Sequence, residues 1–330
     1  DSRVGTATGS DQLTLSGAVT GPSRLEKVGA GTVVLSSANT YIGGTLIQEG
    51  TLSAKHAQAL NQGRVIVADG ATLNIDNIAL SLANGLDLSG TGAGGVGALT
   101  GTGTAAYIGS IGLLADAQVS AISVNDQLSL NGLINGGGQS LTVAGSGTVL
   151  LAGGVSDARS IEQLATSRVD LGSGQTVETR AGQVYRGVIT GTDVHLTSTQ
   201  SGSIEAANVG NDLGGRVTVS ATDVTLRDAS DLSLAGSVTG NLITTSQALL
   251  LGATTVGGTA VLNAGGAVTQ DGDVQVTGTT AINAAGQNIL LDLPGNDFTG
   301  RITVSGQNVT LHDASDLSLA GSVTGNLITT

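Results

Sequence analysis

Cysteine, methionine and tryptophan are absent from this sequence, and proline occurs only twice. Without cysteine there are no disulfides and no thiolate metal sites. The aromatics are four, Tyr41, Tyr107, Tyr185 and Phe298. A broad globular core draws on aromatics for its largest apolar units, so a core of that kind is not expected. Lysine is nearly missing as well (Lys27 and Lys55), and 25 acidic residues face 12 basic ones for a net charge of −13. Phosphate binding needs clustered Lys and Arg, so no nucleic-acid partner is expected. The acidity reads instead as solubility and self-repulsion in an exposed protein. No apolar run reaches the ~18 residues needed to span a bilayer. The chain opens Asp-Ser-Arg-Val, without the pattern of a signal peptide, so an export signal is expected to have been removed or to lie elsewhere.

What is present is glycine, 53 residues of it, and an apolar fraction of 39% supplied by Val, Leu, Ile and Ala. That fraction is too high for disorder. Small aliphatics suit a narrow interior repeated many times. Local periodicity is two: Val217-Thr-Val219, Val224-Thr-Leu226, Leu232-Ser-Leu234 and Val274-Gln-Val276 alternate apolar with small polar residues, the pattern of strands with one buried face. Turns of Gly, Asn, Asp, Ser and Thr separate them. Residues 55–62 and 157–166 read as short helical or irregular excursions.

Repeats decide the architecture. Residues 210–245 align without a gap on 295–330 at an offset of 85, and the last 18 positions are identical. A looser pair joins 13–37 to 128–153, both carrying Gly-x-Gly-Thr-Val-x-Leu, at Gly29–Leu35 and Gly145–Leu151. Tandem repetition and scarce aromatics favour a solenoid over a sandwich or barrel. The expected fold is all-β, a single right-handed parallel β-helix of roughly 16 coils, about 75 Å long at the interstrand spacing. Three segments are expected along it: 1–160, then 85-residue units at 161–245 and 246–330. The two copies should superpose by translation along the axis, with Val219/Val304 and Leu234/Leu319 in equivalent inward sites. Residues 325–330, Gly-Asn-Leu-Ile-Thr-Thr, carry no charge or proline to block an open edge. Further coils after residue 330, and end-to-end association of copies, are therefore expected.

Residues 29–54 and 59–75 resemble the autotransporter-associated β-strand repeat. Its elements stand at Gly29-Ala-Gly31-Thr32, Asn39-Thr40-Tyr41, Gly43-Gly44-Thr45 and Gly50-Thr51-Leu52. The 85-residue unit resembles repeats of filamentous-haemagglutinin-like large exoproteins, as in Gly295–Val304. These resemblances imply a right-handed β-helix, export across the outer membrane by an autotransporter or two-partner route, and adhesive use at the bacterial surface. The implied partners are the outer-membrane secretion machinery and a host-cell, abiotic-surface or matrix-polysaccharide ligand.

No catalytic, metal or cofactor residues are assigned, and no cofactor is expected. Asp228, Asp231, Asp313 and Asp316 form the densest acidic group, but Asp-Ala-Ser-Asp recurs with the repeat and reads as turn chemistry. His56, His195 and His312 are scattered, and His312 replaces Arg227 in the equivalent repeat position. Gly92–Gly97 precedes no helix, against a phosphate loop. Asn39-Thr40-Tyr41 reads as a coil corner with its ring packed over Gly43-Gly44. The pairs Thr6/Thr8, Thr102/Thr104 and Thr197/Thr199 do not recur at coil spacing. The expected function is a structural and adhesive rod segment of a surface exoprotein and not an enzyme. The alternatives are a spacer stalk of a toxin-delivery exoprotein or a carbohydrate-active β-helix enzyme.

Overall fold

The alternation of inward aliphatic and outward polar residues produces strands of two to eleven residues that pair in parallel with the strand one coil away. A computed structural model describes residues 1–61, 63–81, 85–284 and 286–330. Its contacts form two units, Asp1–Gly172 and Ser173–Thr330, and each is a parallel β-solenoid. Among the described residues the one helical turn is a 3-10 turn at Ala93–Gly95.

In Asp1–Gly172, one ladder stacks Ser2, Leu25, Thr45, Val65, Leu86, Ile111, Ile134 and Val155, one rung per coil. A second stacks Leu13, Val33, Leu52, Leu73, Leu99, Val119 and Val143. Members of this column from Val33 onward are fully buried, a dry aliphatic stack of the kind that burial free energy favours. A third ladder runs through Thr104, Gln127, Thr148 and Arg168. In Ser173–Thr330, the rungs Gln183, Ile204, Val224, Leu242, Ala260, Thr280, Ile302 and Leu319 again make eight coils. A second ladder there stacks Leu232, Leu249, Val268, Ile289, Val309 and Leu327. Eight rungs in each unit match the sixteen expected.

Two expectations fail. Residues 157–166 are not an excursion: most lie in strand Val155–Gln163, where Ala158, Ile161 and Gln163 face inward. The charged residues between them suggested a helix, but the coil needs a strand there. Residues 55–61 are irregular as expected, and residue 62 lies outside the described residues.

The second failure concerns the repeat. Four coils carry the chain from Val224 through Leu242, Ala260 and Thr280 to Ile302, 78 residues. The repeat is 85 residues, so the equivalent of Val224 is Val309, which stands in the neighbouring ladder between Ile289 and Leu327. The second copy is therefore turned about the axis by one face. Its internal pairing survives the turn: Val219 stacks against Gly236, and Val304 against Gly321. Val219 and Val304 are both buried, as is Leu234, while Leu319 is partly buried. The looser repeat in Asp1–Gly172 behaves likewise. Strand Thr32–Leu35 stands in the second ladder, and its counterpart Thr148–Leu150 in the third.

The recurring Gly-x-Gly has a steric cause. Gly29 and Gly145 sit at φ 75 and 88, and a methyl group on either would overlap a carbonyl oxygen of the coil beneath, that of Thr6 or Ala121. The strand that follows is seated on a matching turn: Thr32 N–H donates to Asp11 O at 2.9 Å, and Thr148 N–H to Asp126 O at 3.0 Å.

Candidate binding groove

The residues singled out in the sequence mostly hold coils together. Asp228 is buried. Its Oδ2 accepts from Leu213 N–H at 2.8 Å, and its Oδ1 from the N–H and hydroxyl of Ser230 at 2.7 and 2.9 Å. Asp313 meets the equivalent groups through one oxygen, Oδ1 accepting from Phe298 N–H at 3.1 Å and from the N–H and hydroxyl of Ser315, both at 3.4 Å. Asp231 accepts from Ala248 N–H at 2.9 Å, and Asp316 is exposed. Among the described residues no three His, Cys, Asp or Glu side chains gather as a metal site would require. His56 Nδ1 accepts from Gln58 N–H at 3.1 Å, His195 is exposed, and His312 Nδ1 meets the Thr330 hydroxyl at 2.8 Å; the three stay apart.

Asn39 is a staple between three coils. Its Oδ1 accepts from Val19 N–H at 2.7 Å in the coil below, and its Nδ2 donates to Ala59 O at 2.6 Å in the coil above. Tyr41 is buried, and its hydroxyl shares a 2.7 Å hydrogen bond with Thr45; burial pushes its pKa up. Three core features went unread in the sequence. Asn211 and Asn296, equivalent positions of the two copies, are fully buried and accept from Ile189 N–H and Val274 N–H, both at 2.9 Å. Lys27 also lies in the core, donating to the carbonyls of Val28, Gly29 and Glu49 at 3.2, 2.6 and 2.8 Å. Burial pushes its pKa down.

The Gly92–Gly97 segment has a different task. It folds across the outward face of the second ladder of Asp1–Gly172. The Thr72 hydroxyl donates to Gly97 O at 2.8 Å and accepts from Ala93 N–H at 2.9 Å. Gln118 Nε2 reaches Gly95 O at 2.9 Å. Thr72, Thr100 and Ser120, outward residues that would otherwise be wet, are thereby buried. Beside this strap lies a groove of about 250 Å³ crossing six coils. Its floor is the outward columns Gln12–Thr32–Thr51 and Val34–Ser53–Asn74. Lys55 Nζ and Asp76 Oδ2 pair at 2.9 Å on one rim. Val96 of the strap and Ile122 supply exposed apolar flanks. The floor is held in place: Asn74 accepts from the Thr100 hydroxyl at 2.9 Å and donates to Ser53 at 3.3 Å. A row of hydroxyls and amides with a neutralised ion pair can bind hydroxyl-bearing ligands. It offers no nucleophile with a base, and no pair of carboxylates.

A second polar trough lies in Ser173–Thr330. The pair Thr197/Thr199 is followed at coil spacing not by further Thr-x-Thr pairs but by Ser220/Thr222 and Ser237/Thr239, so a mixed hydroxyl row stands where no threonine row does. Thr197 stacks on Ser220 and then on Ser237 and Thr255, and Thr199, Thr222 and Thr239 line the same trough. The pairs Thr6/Thr8 and Thr102/Thr104 build no such row.

With this geometry in hand, comparison with known proteins gives three matches. Residues 25–54 match a family described as the passenger-associated-transport-repeat. They make up one coil and the first half of the next, and hold Lys27, Asn39 and Thr51. Residues 239–305 match a family described as repeats of unknown function. A stretch of 91 residues is 41% identical to the adhesin BmaC autotransporter of Brucella suis biovar 1 (strain 1330). That stretch is 27% of this chain and 2% of the relative, so the chain spans a small fraction of that protein's length. No solved structure matches. The chain thus carries, on a parallel β-solenoid, one stretch similar to a passenger-associated repeat and one similar to part of an autotransporter adhesin.

Proposed function

We propose that this chain is an adhesive segment of the surface-exposed passenger of an autotransporter-type protein, acting outside the outer membrane. Its coils carry contact surfaces for cells, abiotic surfaces or matrix. The observation that carries this reading is the passenger-associated repeat at residues 25–54, set in a stack whose inward face is sealed and whose outward face carries a polar groove. The mechanism is repetition: each coil contacts only its neighbours, so reach grows by adding coils without redesigning a core.

Beads coated with the purified chain should attach to epithelial cells, plastic or biofilm matrix several-fold more than beads coated with an unrelated acidic protein of similar size. Attachment no better than that control on all three surfaces would overturn the adhesive reading and favour a spacer stalk. Hydrolysis of a polysaccharide panel by the chain would favour an enzyme.

A further inference from the structure

We propose that the groove between Lys55–Asp76 and the Gly92–Gly97 strap is a binding site for a neutral polysaccharide. The inference deepens the adhesive reading and rests on it only for where such a polymer would be met. Four features select the ligand. The floor residues Gln12, Thr32, Thr51 and Asn74 present hydroxyl and amide groups that donate and accept, as sugar hydroxyls do. Gln12, Thr32 and Thr51 stand one coil apart, ~4.8 Å, with Asn74 in the adjacent column, so they form a row suited to a chain of repeating units more than to a compact metabolite. Lys55 is half-exposed and Asp76 about a quarter exposed while paired, leaving both able to hydrogen-bond neighbouring hydroxyls without net charge. Val96 and Ile122, 43% and 39% exposed, supply the apolar contact that the C–H faces of a sugar ring require.

Charge excludes the other polymers. The groove has one lysine balanced by one aspartate, and the chain carries −13, so an anionic polysaccharide or nucleic acid meets repulsion with no basic cluster to offset it. All four aromatics are buried, so no ring is free to stack on a sugar. Recognition then rests on hydrogen bonds and methyl contacts alone. A single groove should bind weakly, with Kd on the order of millimolar, and useful attachment would come from many grooves on one polymer.

Affinity electrophoresis of the full chain through gels containing dextran, mannan, galactan or xylan, with alginate as the anionic comparison, reads binding in this range. At least one neutral polymer should retard the chain, and alginate should not. Thr51→Arg, which fills the floor, should reduce retardation at least five-fold, with circular dichroism unchanged. Gln275→Arg, the same kind of change at an exposed strand position of the other unit, should leave it intact. Should Thr51→Arg misfold, the pair Gln12→Ala and Lys55→Ala takes its place with the same expectation. Retardation by none of the neutral polymers, equal retardation of the groove variant, or stronger retardation by alginate would each overturn the proposal. Bead attachment is a separate measurement, so loss of one reading leaves the other standing.

Discussion

Leu234 and Ser233 are adjacent in sequence and opposite in surroundings. Leu234 is sealed between Val217 and Leu251, whereas Ser233 faces outward between Arg216 and Leu250. Leu234→Asp would put a carboxylate where nothing can hydrogen-bond it, at a cost on the order of 4 kcal/mol. Ser233→Asp should cost well under ~1 kcal/mol, as at most wet positions. Denaturant unfolding of both variants checks this, and equal effects would contradict the assigned faces. Glu26 shows the same logic for charge. Its side chain is buried, with Arg3 Nε at 2.8 Å and Arg24 Nη2 at 2.7 Å, and hydrogen bonds from Arg3 first and Arg24 second hold its carboxyl below the ordinary 4.5. The unfolded chain therefore binds more protons at Glu26 just below pH 4.5, and this contribution, present above that value, is lost as the solution is acidified. Between pH 5 and 3 the Tm of the natural chain should fall more steeply than that of Glu26→Gln; parallel slopes would show that the pair contributes nothing. At this scale the sequence was only partly legible. Alternation marks Leu234 and Ser233. By contrast, Asn39, Asn211 and Asn296 look like any turn asparagine, because the same amide that caps a turn can staple two coils.

Strands and turns were easier to read, and the reason is steric. The turn before strand Thr148–Leu150 needs a left-handed backbone at Gly145, directly over Ala121 O. Gly145→Ala should cost roughly 2 kcal/mol or more, through strain and a forced shift of the coil beneath. Its thermal midpoint, measured beside that of Gly70→Ala, separates the two causes. Gly70 has a similar φ of 76 but nothing within contact of an added methyl group. Equal losses would mean that only the dihedral matters. The strand at 157–163 was misread because its inward Ala158 and Gln163 are weak apolar markers, so periodicity favoured neither state. The groove was not legible at all: its walls come from residues about 20 apart in each of six coils, and the strap that closes it is a glycine run with no periodicity.

For the molecule as a whole, the informative number is the mismatch between repeat and coil. An 85-residue copy is four coils and one further face, a fraction that the sequence hid because coils in this ladder vary from 17 to 22 residues. If faces are interchangeable, deleting residues 224–308 should leave a folded solenoid in which Val309 takes the place of Val224. Thr310 then lies opposite Glu205, where Thr225 stood, instead of between Leu290 and Ile328. With Glu205→Cys and Thr310→Cys, oxidation should form a disulfide in the deletion variant and none in the full chain; neighbouring strands lie within the required Cα separation. A folded deletion variant without the cross-link would mean that strands are bound to one face.

The same fraction sets a compass bearing for anything a copy displays. Each additional copy advances the stack by about 20 Å and swings its pattern through a third of a circle. A rigid, flat target could therefore be touched by one copy in three, about 60 Å apart, while a flexible polymer wound around the stack could follow every copy. Copy number in such an array sets direction as well as length.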